Sequence, residues 1–400
     1  MNKKNSFFSI ALIFLSLSCS EKQNNETTNK ENNKTESFKN KENNKKIVSN
    51  PKTTGKQNNF YEEIILSSDS GEIFFFDPLK KVLKDNLHNK LVSYRENIYF
   101  KDSFKLSEQV FFPSEIFIKS PIDGGPPAQT DNESGLKIWP PDVYANSISI
   151  IKVKSSTYTI FPVVEDPDYR YVLINSFTDK KASIYLYWAK LRYNINISKP
   201  QRGNYLTKFT DGKIETVFLK TTKIFDSIIL NDKVLFLTLR GEMMHLESFF
   251  GKKFRKNLRI KTAEYEKPAI CGKKLPFFIH SLKKCDKKQC LSSYTVSFNN
   301  SMNPIVKLEG SLVIPEKAHP HASFIKNISS NSCNSALIRS TSILKYNYFL
   351  YRTSLQGSFS TRVHHFSSYA PVYIFSKAEN QISVFQKTGE GLWKTSDLDF

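Results

Sequence analysis

From residue 60 onward, apolar and polar positions alternate with a period of two, and no stretch longer than two turns has helical spacing. Ile64-Ile65-Leu66, the turn residues Ser67 to Gly71, and Glu72 to Phe76 closing on Asp77-Pro78 predict a first hairpin. Ser147 to Val164 and Tyr171 to Lys190 predict two successive strand pairs. Phe225 to Leu230, Lys233 to Leu239 and Glu242 to Ser248 predict a meander with turns at Asn231-Asp232 and Arg240-Gly241. Ser292 to Ser297 with Ile305 to Ile314, and Ala336 to Leu344 with Asn347 to Thr353, extend the pattern. Val372 to Ser376, Gln381 to Lys387 and Leu392 to Lys394 close it.

Composition supports an all-β chain with a true core: 39% hydrophobic, 13% aromatic with 32 Phe, and only 14 Gly in 400 residues. Disorder throughout and collagen-like repetition are excluded. Short strands separated by turn signals roughly every 8–12 residues fit a β-propeller of about seven four-stranded blades, with tandem β-sandwich domains as the alternative. The units at 64–77, 226–248 and 372–394 resemble generic propeller blades, although no WD or kelch signature is present. The stretch from Pro121 to Pro141, with Trp139 ahead of two prolines, reads as a long loop or a joint.

Ahead of residue 60 the pattern changes. Lys3 and Lys4, an apolar run from Phe7 to Leu17, small residues and then Cys19 have the order of an export signal. The run is too short for a helix that crosses a bilayer, which takes roughly 20 residues. Leu15 to Cys19 resembles a bacterial lipoprotein signal of the relaxed, spirochaete type, with Ser16 where Leu is usual. That resemblance implies diacylation of Cys19 and a lipid-anchored place in the bacterial cell envelope; a plain secretory signal is the alternative. Residues 20–59, almost wholly Asn, Lys, Glu, Thr, Ser and Gln, read as a disordered tether. The expected organisation is therefore a signal over 1–18, the lipidated Cys and tether over 19–59, and an all-β body over 60–400.

Candidate chemistry is sparse. Four cysteines remain after Cys19, and an exported, even-numbered set predicts two disulfides rather than a metal site. If the polar residues 286–289 close a hairpin, Cys285 and Cys290 face one another and Cys271 pairs with Cys333 by elimination; Cys271 with Cys285 and Cys290 with Cys333 stays open. Tyr144-Ala145-Asn146, Ser342-x-x-Lys345 and Lys387-Thr388-Gly389 resemble the three motifs of serine β-lactamases and penicillin-binding proteins. In those enzymes Ser-x-x-Lys opens a helix near the start of the domain. Here it comes second and in a strand-like run, so no such active site is assigned. His319, His321, His364 and His365 lack an acidic cluster beside them, and Glu165, Asp166, Asp168, Asp131 and Glu133 lack the spacing of a calcium loop. No catalytic residue, metal or cofactor is assigned.

Charge adds one feature. The chain carries +20, and residues 251–290 hold thirteen Lys or Arg against Glu264, Glu266 and Asp286. Such a segment attracts anionic lipid, acidic glycan or an acidic protein, or simply keeps a sheet edge solvated. Export and the dominance of Lys over Arg argue against nucleic acid. The chain thus reads as a membrane-tethered binding or scaffolding module, with a propeller hydrolase acting on glycans as the rival. Non-reducing peptide mapping should link Cys285 to Cys290 and Cys271 to Cys333; a fragment joining Cys271 to Cys285 would establish the other pairing.

Overall fold

A computed structural model describes the chain between residues 63 and 399, leaving out 1–62 and several inter-strand segments, the longest being 118–128, 193–202 and 314–323. The chain divides into two units, Met1–Gly55 and Lys56–Phe400, and every described residue belongs to the second.

Among the described residues the regular structure is entirely β. Sheet 1 contains β1 (Glu63–Leu66), β2 (Ile73–Asp77), β3 (Val82–Lys84) and β4 (Lys90–Ser93). Sheet 2 contains β5 (Asn97–Phe100), β6 (Phe104–Leu106) and β7 (Gln109–Phe117). The two-stranded pair β8 (Gln129–Thr130) and β9 (Lys137–Ile138) intervenes, and β10 (Asn146–Lys154) and β11 (Thr157–Val164) complete sheet 2. Sheet 3 is β12 (Tyr169–Thr178), β13 (Ser183–Arg192), β14 (Gly203–Thr210) and β15 (Lys213–Lys220). Sheet 4 is β16 (Lys223–Leu230), β17 (Lys233–Arg240), β18 (Met243–Ser248) and β19 (Phe254–Lys261). Sheet 5 is β20 (Ala269–Cys271), β21 (Phe277–Cys285), β22 (Lys288–Phe298) and β23 (Pro304–Val313). Sheet 6 is β24 (Phe324–Asn327), β25 (Ser335–Thr341), β26 (Tyr346–Thr353) and β27 (Phe359–Ser368). Sheet 7 is β28 (Val372–Ala378), β29 (Gln381–Lys387) and β30 (Trp393–Asp399).

Apart from sheet 2, each of the seven is an antiparallel meander in chain order, so the chain builds one sheet before starting the next. Two-residue turns with both φ values positive close several hairpins. Ser155-Ser156, Asp211-Gly212 and Asn231-Asp232 each sit between directly paired flanking residues, in the geometry that matches strand twist.

Packing between sheets decides the architecture. Phe74, Phe76 and Leu83 of sheet 1 share a core with Phe100, Phe112 and Ile151 of sheet 2. Phe104, Ile148 and Ile150 of sheet 2 pack on Tyr171, Leu186 and Trp188 of sheet 3. Sheet 3 also meets sheet 4, through Phe177, Tyr185 and Leu206 against Ile224 and Phe236. Leu237, Leu246 and Leu258 of sheet 4 then meet Phe277, Ile279 and Val296 of sheet 5. Sheets 2, 3 and 4 therefore each bury both faces, whereas a sheet in a sandwich buries one. This overturns the tandem-sandwich alternative: the protein is a β-propeller, and its described residues form seven consecutive blade sheets.

The first strand of sheets 3, 4 and 5 lies at one end of its sheet order, so one row of its backbone groups has no partner strand. Side chains of the preceding blade fill that row. Asn146 Nδ2 donates to the Tyr171 carbonyl at 2.8 Å, and its Oδ1 accepts from the Tyr171 N–H at 2.8 Å. The Leu173 N–H donates to Glu115 Oε1 at 2.8 Å, and Lys101 lies 3.3 Å from the other Glu115 oxygen. Farther along, one pattern recurs three times. Ser176 Oγ donates to Asp102 at 2.7 Å, Asn175 Nδ2 to the Phe225 carbonyl at 3.1 Å, and the Ile270 N–H to Asp226 at 2.7 Å. In each case the acid or amide also accepts the N–H of the serine that follows it, Ser103, Ser176 or Ser227.

Two predictions follow from these latches. Asn146→Ala strands a buried N–H and a buried carbonyl of Tyr171 and should lower unfolding stability by about 2–4 kcal/mol in a denaturant titration. Burial pushes the Asp226 carboxyl up to about 6, against the N–H groups of Ile270 and Ser227 that favour its ionised form. A raised carboxyl pKa means that the folded state holds its proton longer, so this group's contribution to stability falls as pH rises from about 4 to about 6. The stability of wild type relative to Asp226→Asn should therefore decline across that window; a difference independent of pH would refute the assignment.

Candidate functional site

Asn146, Glu115 and Asp102 of blade 2 bond to β12 of blade 3, and a cavity of about 470 Å³ is lined by other residues of the same two blades. Its apolar wall is aromatic. Phe111 and Phe161 come from blade 2 and Phe209 from blade 3, with Phe209 centred 5.1 Å from Phe161 and 6.0 Å from Phe111, both tilted near 60°. Strand alternation puts these rings here: Phe161 lies opposite Ile150 on the face that packs on blade 3, and Phe209 lies opposite the fully buried Ile184.

Polar groups sit around the rings. Lys152 Nζ lies 5.9 Å from the Phe111 ring centroid, a cation–π distance, and Gln109 follows the β6–β7 turn. Asp211 and Gly212 form the β14–β15 turn at φ 49° and 80°. A Cβ on Gly212 would stand 3.7 Å from Phe161, so this turn lies directly against blade 2. The turn before β13 carries Lys181, whose ammonium bonds to Asp232 of blade 4. That pairing raises the lysine pKa and lowers that of the aspartate. The same turn is fixed by Asp179, whose Oδ1 accepts the N–H groups of Lys181, Ala182 and Ser183 at 2.8–3.0 Å. Burial works to raise its pKa, but these bonds outweigh it and the carboxyl titrates low.

Beyond the cavity, the face of blade 3 toward blade 2 carries an aromatic row. Trp188 stacks on Tyr205 at 4.3 Å and 10°, Tyr205 meets Phe218 at 5.0 Å, and Phe218 is 44% exposed. Trp188 Nε1 is satisfied by Thr207 at 2.9 Å. Lys190 Nζ lies 3.5 Å from the Tyr169 ring centroid and 3.8 Å from Asp166.

Among the described lining residues, Asp211 is the one carboxylate. Glycoside hydrolysis by paired acids needs two carboxyls roughly 5–9.5 Å apart. An apolar wall with a few polar groups beside it is the common make-up of a ligand pocket.

The residues singled out in the sequence are distributed elsewhere. Cys19, Cys333, His319, His321, Ser342, Lys345, Asp168, Asp131 and Glu133 lie outside the described residues. Cys271 and Cys290 are buried at 2% each, on β20 and β22, the strands flanking β21. The β21–β22 turn is two residues, not four: Cys285 pairs with Lys288 and Cys290 with Lys283. The two cysteines are thus diagonal across the hairpin, which corrects the direct opposition assumed from spacing. Asn146 is the Tyr171 latch, Lys387 ends β29, and His364 and His365 pair with Leu350 and Phe349 in sheet 6. Asp166 belongs with Lys190, not with a calcium loop. The cavity residues carried no motif. The available signals were the Asp-Gly turn and the unusual density of Phe.

No family model matches the chain, and no curated protein matches its sequence. Solved structures similar to it include a mutant of the Aleuria aurantia lectin in complex with α-methyl-L-fucoside. That pair has a TM-score of 0.38 and 8% identity, covering 76% of this chain and 96% of the lectin. The SapL1 lectin in complex with α-methyl fucoside has a TM-score of 0.39 and 8% identity, over 78% and 94% of the two chains. The Hadza microbial sialidase Hz136 has a TM-score of 0.41 and 7% identity, over 82% and 73%. The propeller assignment rests on the sheet order and on packing between blades.

The Asp179 bonds predict that Asp179→Ala loosens the Lys181 turn. It should lower the melting temperature, and should do so less at acid pH, where the wild-type carboxyl is itself protonated. An equal deficit at all pH values would argue against the carboxylate's role.

Proposed function

We propose that this protein is a binding module held at a bacterial envelope membrane through Cys19, and that the cleft between blades 2 and 3 seats a saccharide. The observation that carries the ligand class is the pairing of Phe111, Phe161 and Phe209 with Gln109, Lys152 and Asp211 around one cavity. A sugar ring presents an apolar C–H face and a rim of hydroxyls. It needs an aromatic surface together with nearby donors and acceptors; here the partly exposed Phe161, backed by the buried Phe111 and Phe209, is the ring surface. Lys181 is paired with Asp232, which leaves Lys152 and Asp211 on the rim as one donor and one acceptor for the hydroxyls of the sugar. The anchor is supported by the order of charge, apolar run, small residues and Cys at the N-terminus. The exported setting also suits the two proposed disulfides among Cys271, Cys285, Cys290 and Cys333.

Two measurements test the halves separately. Cys19→Ala should abolish labelling by a fatty-acid probe and release the protein from membranes; unchanged labelling would refute the anchor. On an array of neutral and acidic oligosaccharides, the wild type should bind a defined set of members. Phe161→Ala and Lys152→Ala should each weaken that binding about tenfold; Lys152→Ala should leave the melting temperature within a few degrees, whereas Phe161→Ala also loses packing against Phe209 and should lower it. An array without binding, or binding indifferent to both substitutions, would overturn the saccharide site.

A further inference from the structure

The outermost strand of blade 4 is an unusual edge. From residue 252 to 261, six of ten residues are Lys or Arg and none is acidic. Along β19 the apolar Leu258 and Ile260 turn inward to the core shared with blade 5. Arg255, Arg259 and Lys261 are exposed, as are Lys252 and Lys253 in the preceding turn. The ladder to β18 breaks between Met243 and His245, and Arg259 stands in the bulge at φ 58° with its N–H donating to Asn257 Oδ1. Charge and a bulge are sufficient to protect an edge strand. They do not account for what lies beside it.

The outermost strand of blade 5, β23, adjoins β19 and is joined to it by Lys256 Nζ donating to Asn303 Oδ1 at 2.8 Å. On β23, Ile305, Leu308 and Val313 are 54%, 47% and 51% exposed. Edge protection selects against exposed aliphatic side chains. A hydrated polyanion, such as an acidic glycan, has no use for them. The headgroup boundary of an anionic bilayer accepts both features at once, cations at the phosphates and aliphatic groups at the acyl margin.

We infer that the outer rim of blades 4 and 5 docks on the anionic membrane to which the chain is anchored. The inference rests on the anchor in the proposed function, and uses no residue of the blade 2–3 cleft. If residues 20–59 act as the tether expected from their composition, random-coil scaling gives a reach on the order of 35 Å and an effective concentration at the bilayer in the millimolar range. A weak patch then suffices, because docking is an intramolecular step.

The test uses the unlipidated chain from Ser20 to Phe400, which keeps the tether and the whole folded unit. In co-sedimentation with phosphatidylcholine vesicles, binding should appear only when phosphatidylglycerol is included, and should weaken as salt rises. Replacing Arg255, Arg259 and Lys261 together by Gln should lower vesicle affinity roughly a hundredfold, about fivefold per cation. Lys252→Gln with Lys253→Gln, in a turn that contributes nothing to the core, should give a smaller loss of the same sign and guards against misfolding of the triple variant. Ile305→Ser with Val313→Ser should reduce the binding that survives at high salt. Equal binding to neutral and anionic vesicles, or unchanged binding by both charge variants, would overturn the inference. So would capture by immobilised heparin without any vesicle binding, which would assign the patch to soluble polyanions. Saccharide binding by the same variants should be unchanged, so failure here is distinguishable from failure of the cleft.

Discussion

A stack of separate meander sheets has one recurrent problem, the first strand of each sheet. Its far edge carries backbone donors and acceptors that no neighbouring strand can satisfy, and stacking carries that edge out of water. An unpaired buried group costs about as much as several good contacts contribute. Here the preceding blade supplies the missing partners. Asn146 serves as a surrogate peptide for Tyr171, Glu115 accepts Leu173, and Asp102, Asn175 and Asp226 in turn link blade 2 to 3, 3 to 4 and 4 to 5. These bonds are directional, so they determine how each blade registers on its neighbour. The greasy contacts between blades could tolerate sliding; the latches do not.

The register in turn determines where rings meet. With both faces of blades 2, 3 and 4 buried, each strand needs apolar residues on both sides, and sheets about 10 Å apart need large ones. Phe fills that gap without a polar atom to satisfy, which accounts for the 32 Phe better than any ligand does. Edge-to-face pairs such as Phe74–Phe112 and Phe177–Phe236 do the packing inside. At blades 2 and 3 the same kind of ring reaches a cavity, and a residue type chosen for packing becomes available for binding.

Much of this architecture is legible in the chain. The 226–248 meander appears with its turns in place because Asn231-Asp232 and Arg240-Gly241 are strong punctuators between alternating strands. Strand β19 is hard to see, because charges occupy its exposed positions and only Leu258 and Ile260 show the period. Residues 203–220 hide for a related reason: β15 is an exposed outer strand with Lys at both ends. The latch motif was present as Asp102-Ser103-Phe104, Asn175-Ser176-Phe177 and Asp226-Ser227-Ile228. It is masked as a repeat because the β8–β9 region lengthens blade 2 and makes the spacing unequal. The cavity could not be read at all. Phe111, Phe161 and Phe209 are brought together by tertiary register, and each alone is an ordinary strand residue.

That register also bears on the saccharide site proposed at blades 2 and 3. Three separate side chains, on β10, β7 and the segment before β6, hold β12 in place. The described bonds across the next two joints are more dispersed: Asn175 and Tyr187 reach β16 and Lys181 reaches Asp232, while Asp226 reaches β20 and Lys256 reaches Asn303. A ligand site gains affinity when its walls are already positioned, because little ordering is left to be done on binding. Asp179 fixes the turn that carries Lys181, and the Asp211-Gly212 turn rests on Phe161. Little is then left to order along β12 and at the turns beside the cavity when a ligand enters, because the latches and the turn bonds have already placed them.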